Sequence, residues 1–330
     1  MEPSRPAPSR ADAASPDWTR RALLHAGLAV GAGLAVPRAG WADPAPAALA
    51  MPTRPFGSTG RTVSVFGLGC FYVGGLSETA AAGVVGRALD LGCTYVDTAP
   101  SYFAGVSESH VGKALGRRRD SVFLSTKTLE RTAAGAQREL EASLKRLRTE
   151  VIDMVQVHCV RDAADLEAVL SAKGPLTALR AARDKGQIRF IGVTGHEEPA
   201  VMKATLAASD WASILLPMNP VDAHWKSFIT GTLPEAKARG IARVAMKVFA
   251  SGRLVQGPGA LSPEDCLRFA FDLDLSCAIV GCSSIAEVEL AARIAAEAKP
   301  LDLERRAALV AAAKPFSGRA GAGVEWYKHA

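Results

Sequence analysis

From Arg54 to Ala296 the chain alternates between short runs of β-branched and apolar residues and longer stretches with helical spacing. Parallel strands need a long crossover between them, so this alternation spells repeated β/α units. Strands are expected at Phe66–Gly69, Thr94–Asp97, Val122–Thr126, Ile152–His158, Ile188–Thr194, Ile214–Met218, Arg243–Lys247 and Cys277–Val280. Eight such units predict a closed (β/α)8 barrel of the TIM type. An open doubly wound sheet would place a Gly-rich phosphate loop after its first strand, and Gly67-x-Gly69 with Gly74-Gly75 lacks that spacing. Helices are expected at Glu78–Leu91, Ala134–Leu147, Leu176–Lys185, Pro199–Ala208, Pro263–Phe271 and Ser284–Ala296. Gly92, Gly186 and Gly240 follow helical runs as C-caps, and Ser284 with Glu287 forms a capping box. The run Phe56-Gly57-Ser58-Thr59-Gly60 before Val63 suggests the turn of a short N-terminal β-hairpin ahead of the first barrel strand.

The first fifty residues read as an address. Arg20-Arg21 precedes a Gly/Ala-rich apolar run from Ala22 to Val36, followed by Gly40-Trp41-Ala42, a small-x-small cleavage pattern. This segment resembles a twin-arginine export signal, and its run is shorter than the ~20 residues that span a bilayer. The expected division is a signal segment at 1–42, a linker at 43–53, the barrel at 54–299, and a C-terminal helix and tail at 300–330. Export makes the twin-arginine translocase a partner and the periplasm the destination, or the cytoplasm if the signal is not used. The formal charge of +6 is spread along the chain. Its densest basic cluster, Arg117 to Arg119, follows a helical stretch as a solvated end, so no nucleic-acid site is expected. Six cysteines include no CxxC pair, and no histidine stands at metal-ligand spacing from one. Buried thiols and no metal are expected.

Four ionisable residues fall at or just past expected strand ends. Tyr95-Val96-Asp97 ends on an acid, the loop Thr98-Ala99-Pro100-Ser101-Tyr102 presents a phenol, the third strand runs out to Lys127 and the fourth to His158. In a β/α barrel the C-terminal strand ends converge on one mouth, so these groups can meet around one small ligand. A nearby ammonium favours phenolate, lowering a tyrosine from its reference pKa of about 10. Asp97 would neutralise and orient Lys127, and a neutral His158 would donate to a substrate carbonyl. The set suits protonating an oxygen as a carbonyl is reduced, which requires a hydride donor such as a nicotinamide cofactor.

Across nearly all of Arg54 to Ala296 the chain resembles the aldo-keto reductase family. The motifs are Gly67-Leu68-Gly69, the run Asp97 to Tyr102 with Ser107-Glu108, Ser125-Thr126-Lys127, Gln156-Val157-His158 and Gly192-Val193-Thr194. The resemblance implies reversible NADP(H)-dependent reduction of aldehydes or ketones to alcohols. Tyr102 is then the general acid, Lys127 and Asp97 tune it, and His158 orients the substrate. On the cofactor side it implies that Thr194 meets the nicotinamide amide, with His196 standing in where Gly195 has no side chain. Ser283, Ser284 and the helix N-terminus behind them would hold a phosphate, and Lys247 either reaches cofactor phosphate or is a solvated strand terminus. Relatives carry Arg or Lys near Ser283 and an adenine-binding Asn where Ala291 stands, which leaves NAD possible beside NADP. Phe71, Tyr72, His224 and Trp225 either line the substrate pocket or pack their loops. The fold also admits a non-catalytic nucleotide-binding regulatory protein, or an aldolase with Lys127 as Schiff-base amine.

Overall fold

The structure, a computed structural model, describes residues 50–297, 299–318 and 323–328. The expected signal segment and nearly all of the linker lie outside them. The hairpin pairs β1 (Thr53–Pro55) with β2 (Thr62–Ser64) antiparallel, Arg54 opposite Val63. Gly57 in its turn has φ +56°, and a side chain there would meet the Ala242 backbone nitrogen at 2.5 Å, so glycine is required on both counts.

Eight parallel strands follow: β3 (Phe66–Gly69), β4 (Tyr95–Asp97), β5 (Phe123–Thr128), β6 (Ile152–Val157), β7 (Ile188–Thr194), β8 (Ser213–Pro217), β9 (Ala242–Met246) and β10 (Cys277–Gly281). Each pairs with the next, and β10 closes on β3, giving a barrel. The expected strands stand within about two residues of these. The helices between them are α1 (Glu78–Asp90), α2 (Val106–Leu115), α3 (Ala133–Leu147), α4 (Ala163–Leu170), α5 (Pro175–Asp184), α6 (Pro199–Ala208), α7 (Phe228–Gly231), α8 (Leu233–Ala238), α9 (Pro263–Asp272) and α10 (Ile285–Glu297). A further helix, α11 (Leu303–Ala313), follows the barrel. The three expected cap glycines all have positive φ, Gly92 at +86°, Gly186 at +75° and Gly240 at +66°.

Two apolar layers result from the strand period of two. Leu68, Val96, Leu124, Val155 and Ile191 face the helices. Tyr95, Phe123, Met154, Leu215, Val244 and Cys277 face the lumen together with Phe56 of the hairpin. The Phe56 ring lies 4.7 Å from Phe123 and 5.5 Å from Tyr95, near the first residues of their strands, so the hairpin stoppers the N-terminal end. The same period carries the inward face upward: Tyr95 then Asp97, Phe123 then Ser125 and Lys127, Met154 then Gln156 and His158. Hydrophobic side chains fill the bottom, and polar ones line the top.

Candidate active site

Lys127 is the penultimate residue of β5 and is buried, its ammonium paired with Asp97 and donating to the Thr98 carbonyl at 2.7 Å. Gln156, one strand over and opposite Lys127, donates its amide to Asp97 Oδ2 at 2.9 Å and to Ser125 Oγ at 2.8 Å. Both Asp97 oxygens are therefore fixed. Burial by itself would discharge Lys127, but Asp97 and Tyr102 together outweigh it and the ammonium is held above the ordinary lysine value. Below this pair, Glu108 of α2 accepts from Thr126 Oγ1 at 2.6 Å and from Arg146 at 2.6 Å, tying α2 and α3 to the strand that carries Lys127.

Tyr102 opens a tight turn in which Phe103, Ala104 and Gly105 are all left-handed, at φ +50°, +52° and +87°. Such backbone in non-glycine residues costs on the order of 1 kcal/mol each and persists only where surroundings fix it. Here the Phe103 ring packs on Gly74 and Gly75, where added side chains would meet it at 2.7 and 3.0 Å. Ser107 clamps the loop from the other side, donating to the Cys70 carbonyl at 2.6 Å and sitting 2.8 Å from Thr98 Oγ1. The turn brings the Tyr102 ring to 4.8 Å from Lys127 Nζ and 6.3 Å from the His158 ring. The half-exposed Phe71 meets Tyr102 edge-on at 5.2 Å. Burial pushes the Tyr102 hydroxyl above its ordinary range, Lys127 pulls it down and Asp97 pushes it up. Here the expectation that the ammonium would dominate is corrected: desolvation wins, and the phenol rests protonated.

His158 follows β6, its N–H bonded to the Thr128 carbonyl at 2.9 Å and its carbonyl accepting from Arg131 at 2.8 Å. Its Nδ1 is buried without a hydrogen-bonding partner. Burial first, then the charges of Lys127, Lys247 and Arg131, push its pKa well below the usual histidine value, so the ring is neutral.

The expected cofactor residues are placed around the same mouth, but with partners of their own. Thr194 ends β7 and its Oγ1 accepts from the Cys159 N–H at 2.8 Å. His196 Nδ1 lies 2.9 Å from Cys159 Sγ. A side chain at Gly195 would meet Met202 Sδ at 2.1 Å. Lys247, at φ +54°, sits 4.7 Å from the Trp326 ring and 5.4 Å from the Tyr327 ring, and burial pulls it down to about 8. Those rings belong to the C-terminal segment, which is anchored by Tyr327 to Asn219 at 3.1 Å and by buried Lys328 to Asp222 at 2.9 Å. The capping box at α10 is shifted: Ser284 Oγ accepts from the Glu287 N–H at 3.3 Å, while the Glu287 carboxylate takes the Ser283 N–H at 2.6 Å and its hydroxyl at 3.0 Å. A carboxylate thus engages the Ser283 donors assigned to phosphate. Of the loop candidates, His224 bonds the Val310 carbonyl of α11 at 2.6 Å and packs there. Tyr72 lies against Gly281, where a side chain would meet its ring at 3.1 Å. Sequence reasoning gave no chemical role to Gln156, Ser125 or Cys159, although the lumen-facing alternation would have found the first two, and it gave Glu287 only that of a cap.

The chain matches the Aldo/keto reductase family over residues 65–260, more than half its length. It belongs to that family. Among aldo-keto reductases and related oxidoreductases, YqkF of Bacillus subtilis, described as an uncharacterized oxidoreductase, is 28% identical over 63% of this chain and 68% of its own. The aldo-keto reductase YhdN of the same organism is 39% identical over 41% of this chain and 44% of its own. The holo form of an aldo-keto reductase from Bacillus halodurans superposes with a TM-score of 0.67 at 27% identity, covering 82% of this chain and 98% of that one. An aldo-keto reductase from Klebsiella pneumoniae, solved in complex with NADPH, shares the fold with a TM-score of 0.66 at 23% identity, over 78% of this chain and 94% of its own. The protein is thus an aldo-keto reductase family oxidoreductase.

Proposed function

We propose that this aldo-keto reductase is an NAD(P)H-dependent carbonyl reductase, converting an aldehyde or ketone to an alcohol or the reverse. The observation that carries the reading is the buried Lys127–Asp97 pair with its ammonium 4.8 Å from the Tyr102 ring. A nicotinamide nucleotide, when bound, supplies the hydride. Tyr102, protonated at rest, gives its proton to the carbonyl oxygen, and Lys127 stabilises the phenolate that remains. Asp97 and Gln156 keep Lys127 charged and aimed. Neutral His158 donates a hydrogen bond to the same oxygen and fixes its angle.

Thr194 and His196 suit the nicotinamide end, where one hydroxyl and one imidazole stand beside the tetrad. Lys247, Ser283 and Ser284 suit the phosphates. NADP(H) is the proposed cofactor, supported by the NADPH-bound relative, with NAD(H) admitted because Glu287 competes for the Ser283 donors. Residues 1–42 are proposed as a twin-arginine export signal and 300–330 as a C-terminal helix and tail following the barrel. Among the described residues no helix is long and apolar enough to cross a membrane. Export of the folded barrel through the twin-arginine translocase would carry bound nucleotide to the periplasm. Assaying a panel of aldehydes, ketones and sugars with NADPH and NADH in parallel tests the reading. Turnover with at least one carbonyl class is expected; tight nucleotide binding with no turnover on any would instead mark a non-catalytic nucleotide-binding protein.

A further inference from the structure

Beside the tetrad stands a nucleophile that carbonyl reduction does not use. Cys159 Sγ lies 2.9 Å from His196 Nδ1. Of the six cysteines, five are buried and Cys159 alone is partly exposed. Its backbone is left-handed at φ +63°, a conformation that a residue with a side chain adopts only when held. Three contacts hold it. Thr194 Oγ1 accepts from its N–H at 2.8 Å, Arg131 donates to its carbonyl at 3.0 Å, and Asp165 grips Arg131 through two hydrogen bonds at 2.6 and 2.9 Å. The His158 ring lies 6.3 Å from the Tyr102 ring and 6.3 Å from the His196 ring, so the thiol's imidazole partner and the carbonyl-binding pair share a neighbour.

We propose that Cys159 and His196 form a nucleophile and base pair that adds covalently to α,β-unsaturated aldehydes and ketones. The choice of electrophile rests on the carbonyl-reductase reading: a conjugated carbonyl compound held by Tyr102 and His158 carries a second electrophilic carbon two bonds from its carbonyl carbon. Burial, with Glu197 nearby, holds the Cys159 thiol above the ordinary cysteine value, against Lys247, Arg131 and Arg161. Burial, with Lys247, His158 and Lys127, holds His196 well below the usual histidine value. Both partners rest neutral and no thiolate is preformed, so attack requires His196 Nδ1, already in contact with Sγ, to take the thiol proton as the carbon–sulfur bond forms.

In the step, the thiol proton passes to His196 Nδ1 while sulfur bonds to the β-carbon and the C=C electron pair moves to form an enolate. The enolate α-carbon then takes the proton back from His196. The net change is addition of S–H across the double bond, with nothing oxidised or reduced overall. The carbonyl survives, so one compound can be both a substrate and a covalent modifier.

The test uses the full chain without nucleotide, exposed briefly to 2-butenal or to its saturated analogue butanal and read by intact mass and peptide mapping. One stable 2-butenal adduct per chain at Cys159 is expected, with none from butanal and none in Cys159→Ser, whose circular dichroism verifies its fold. His196→Gln should slow labelling by about 100-fold, the lower range for loss of a positioned base. Adduct placed mainly on other residues, absence of any adduct, or labelling of His196→Gln at the wild-type rate would overturn the pair. Reduction of butanal with added nucleotide, measured separately, reports on the carbonyl-reductase reading: adduct formation at Cys159 in a protein that reduces no carbonyl would sink that reading and keep the pair.

Discussion

Lys127 shows how a single residue's role depends on which influence is larger. Burial opposes its charge, Asp97 together with Tyr102 restores it, and Gln156 and the Thr98 carbonyl hold the ion pair in place. Much of this was legible beforehand. Asp97, Lys127 and His158 are charged or polar where an apolar strand ends, a pattern that sequence displays directly. Glu287 was not legible as anything but a cap, because whether its carboxylate turns to Ser284 or Ser283 is decided by local backbone geometry. The position matters at the proposed phosphate end. An anion brought to Ser283 must displace a carboxylate that already takes its N–H and hydroxyl. Replacing Glu287 with Gln removes the like charge and should raise the ratio of kcat/KM for NADPH over NADH by about 5- to 10-fold, since a partly exposed charge interaction is worth on the order of 1 kcal/mol. An unchanged ratio would show that the extra phosphate lies elsewhere.

At the scale of elements, the barrel follows from the period of two along each strand. That alternation puts Tyr95, Phe123 and Met154 at the bottom of the lumen and Asp97, Lys127 and His158 above them on the same inward face. Helices with clear start and stop signals, such as α1, α5 and α6, were readable within a residue or two. The helix α2 was not, because its start depends on three consecutive left-handed residues, Phe103, Ala104 and Gly105, stabilised by the distant Gly74 and Gly75. No local pattern encodes that contact. Strand β5 also extends through Thr128, so Lys127 lies within the strand rather than beyond it; a lysine in an otherwise apolar run reads as a terminus. The hairpin gives a separable test. Phe56 is fully buried among the lower lumen rings, so Phe56→Ala should cost about 3–5 kcal/mol in chemical denaturation. At 25 °C the folded fraction should retain its kcat, because the stopper and the tetrad occupy opposite ends. A loss in kcat matching the loss in stability would show that the two ends are coupled.

For the whole molecule, the mouth of the barrel gathers positive charge around two neutral histidines. His158 and His196 both lie well below the usual histidine value, chiefly through burial. The unfolded chain takes up protons on them as pH falls through about 6.5, while the native chain does not, so stability should decline below that pH. The expected slope is about 1.4 kcal/mol per pH unit for each histidine. Denaturation midpoints of wild type, His158→Gln and His196→Gln at pH 7.5, 6.5 and 5.5 check this by slope: each variant should fall less steeply than wild type, and parallel lines would contradict it. The closed barrel and its chemical end were readable from the whole chain because eight units in sequence have few other ways to bury both faces. The docking of the C-terminal segment against Lys247, Asn219 and Asp222 was not readable, because Tyr327 and Lys328 find buried partners about one hundred residues away in sequence only after the barrel has closed.

The account centres on Tyr102 as the proton donor, and single-turnover reduction of an aldehyde by Tyr102→Phe with saturating NADPH tests it most directly. The predicted result is a loss of about 10²–10⁴-fold in the rate of nucleotide oxidation with nucleotide affinity unchanged, the range for removing a general acid. A rate within a few-fold of wild type would contradict it.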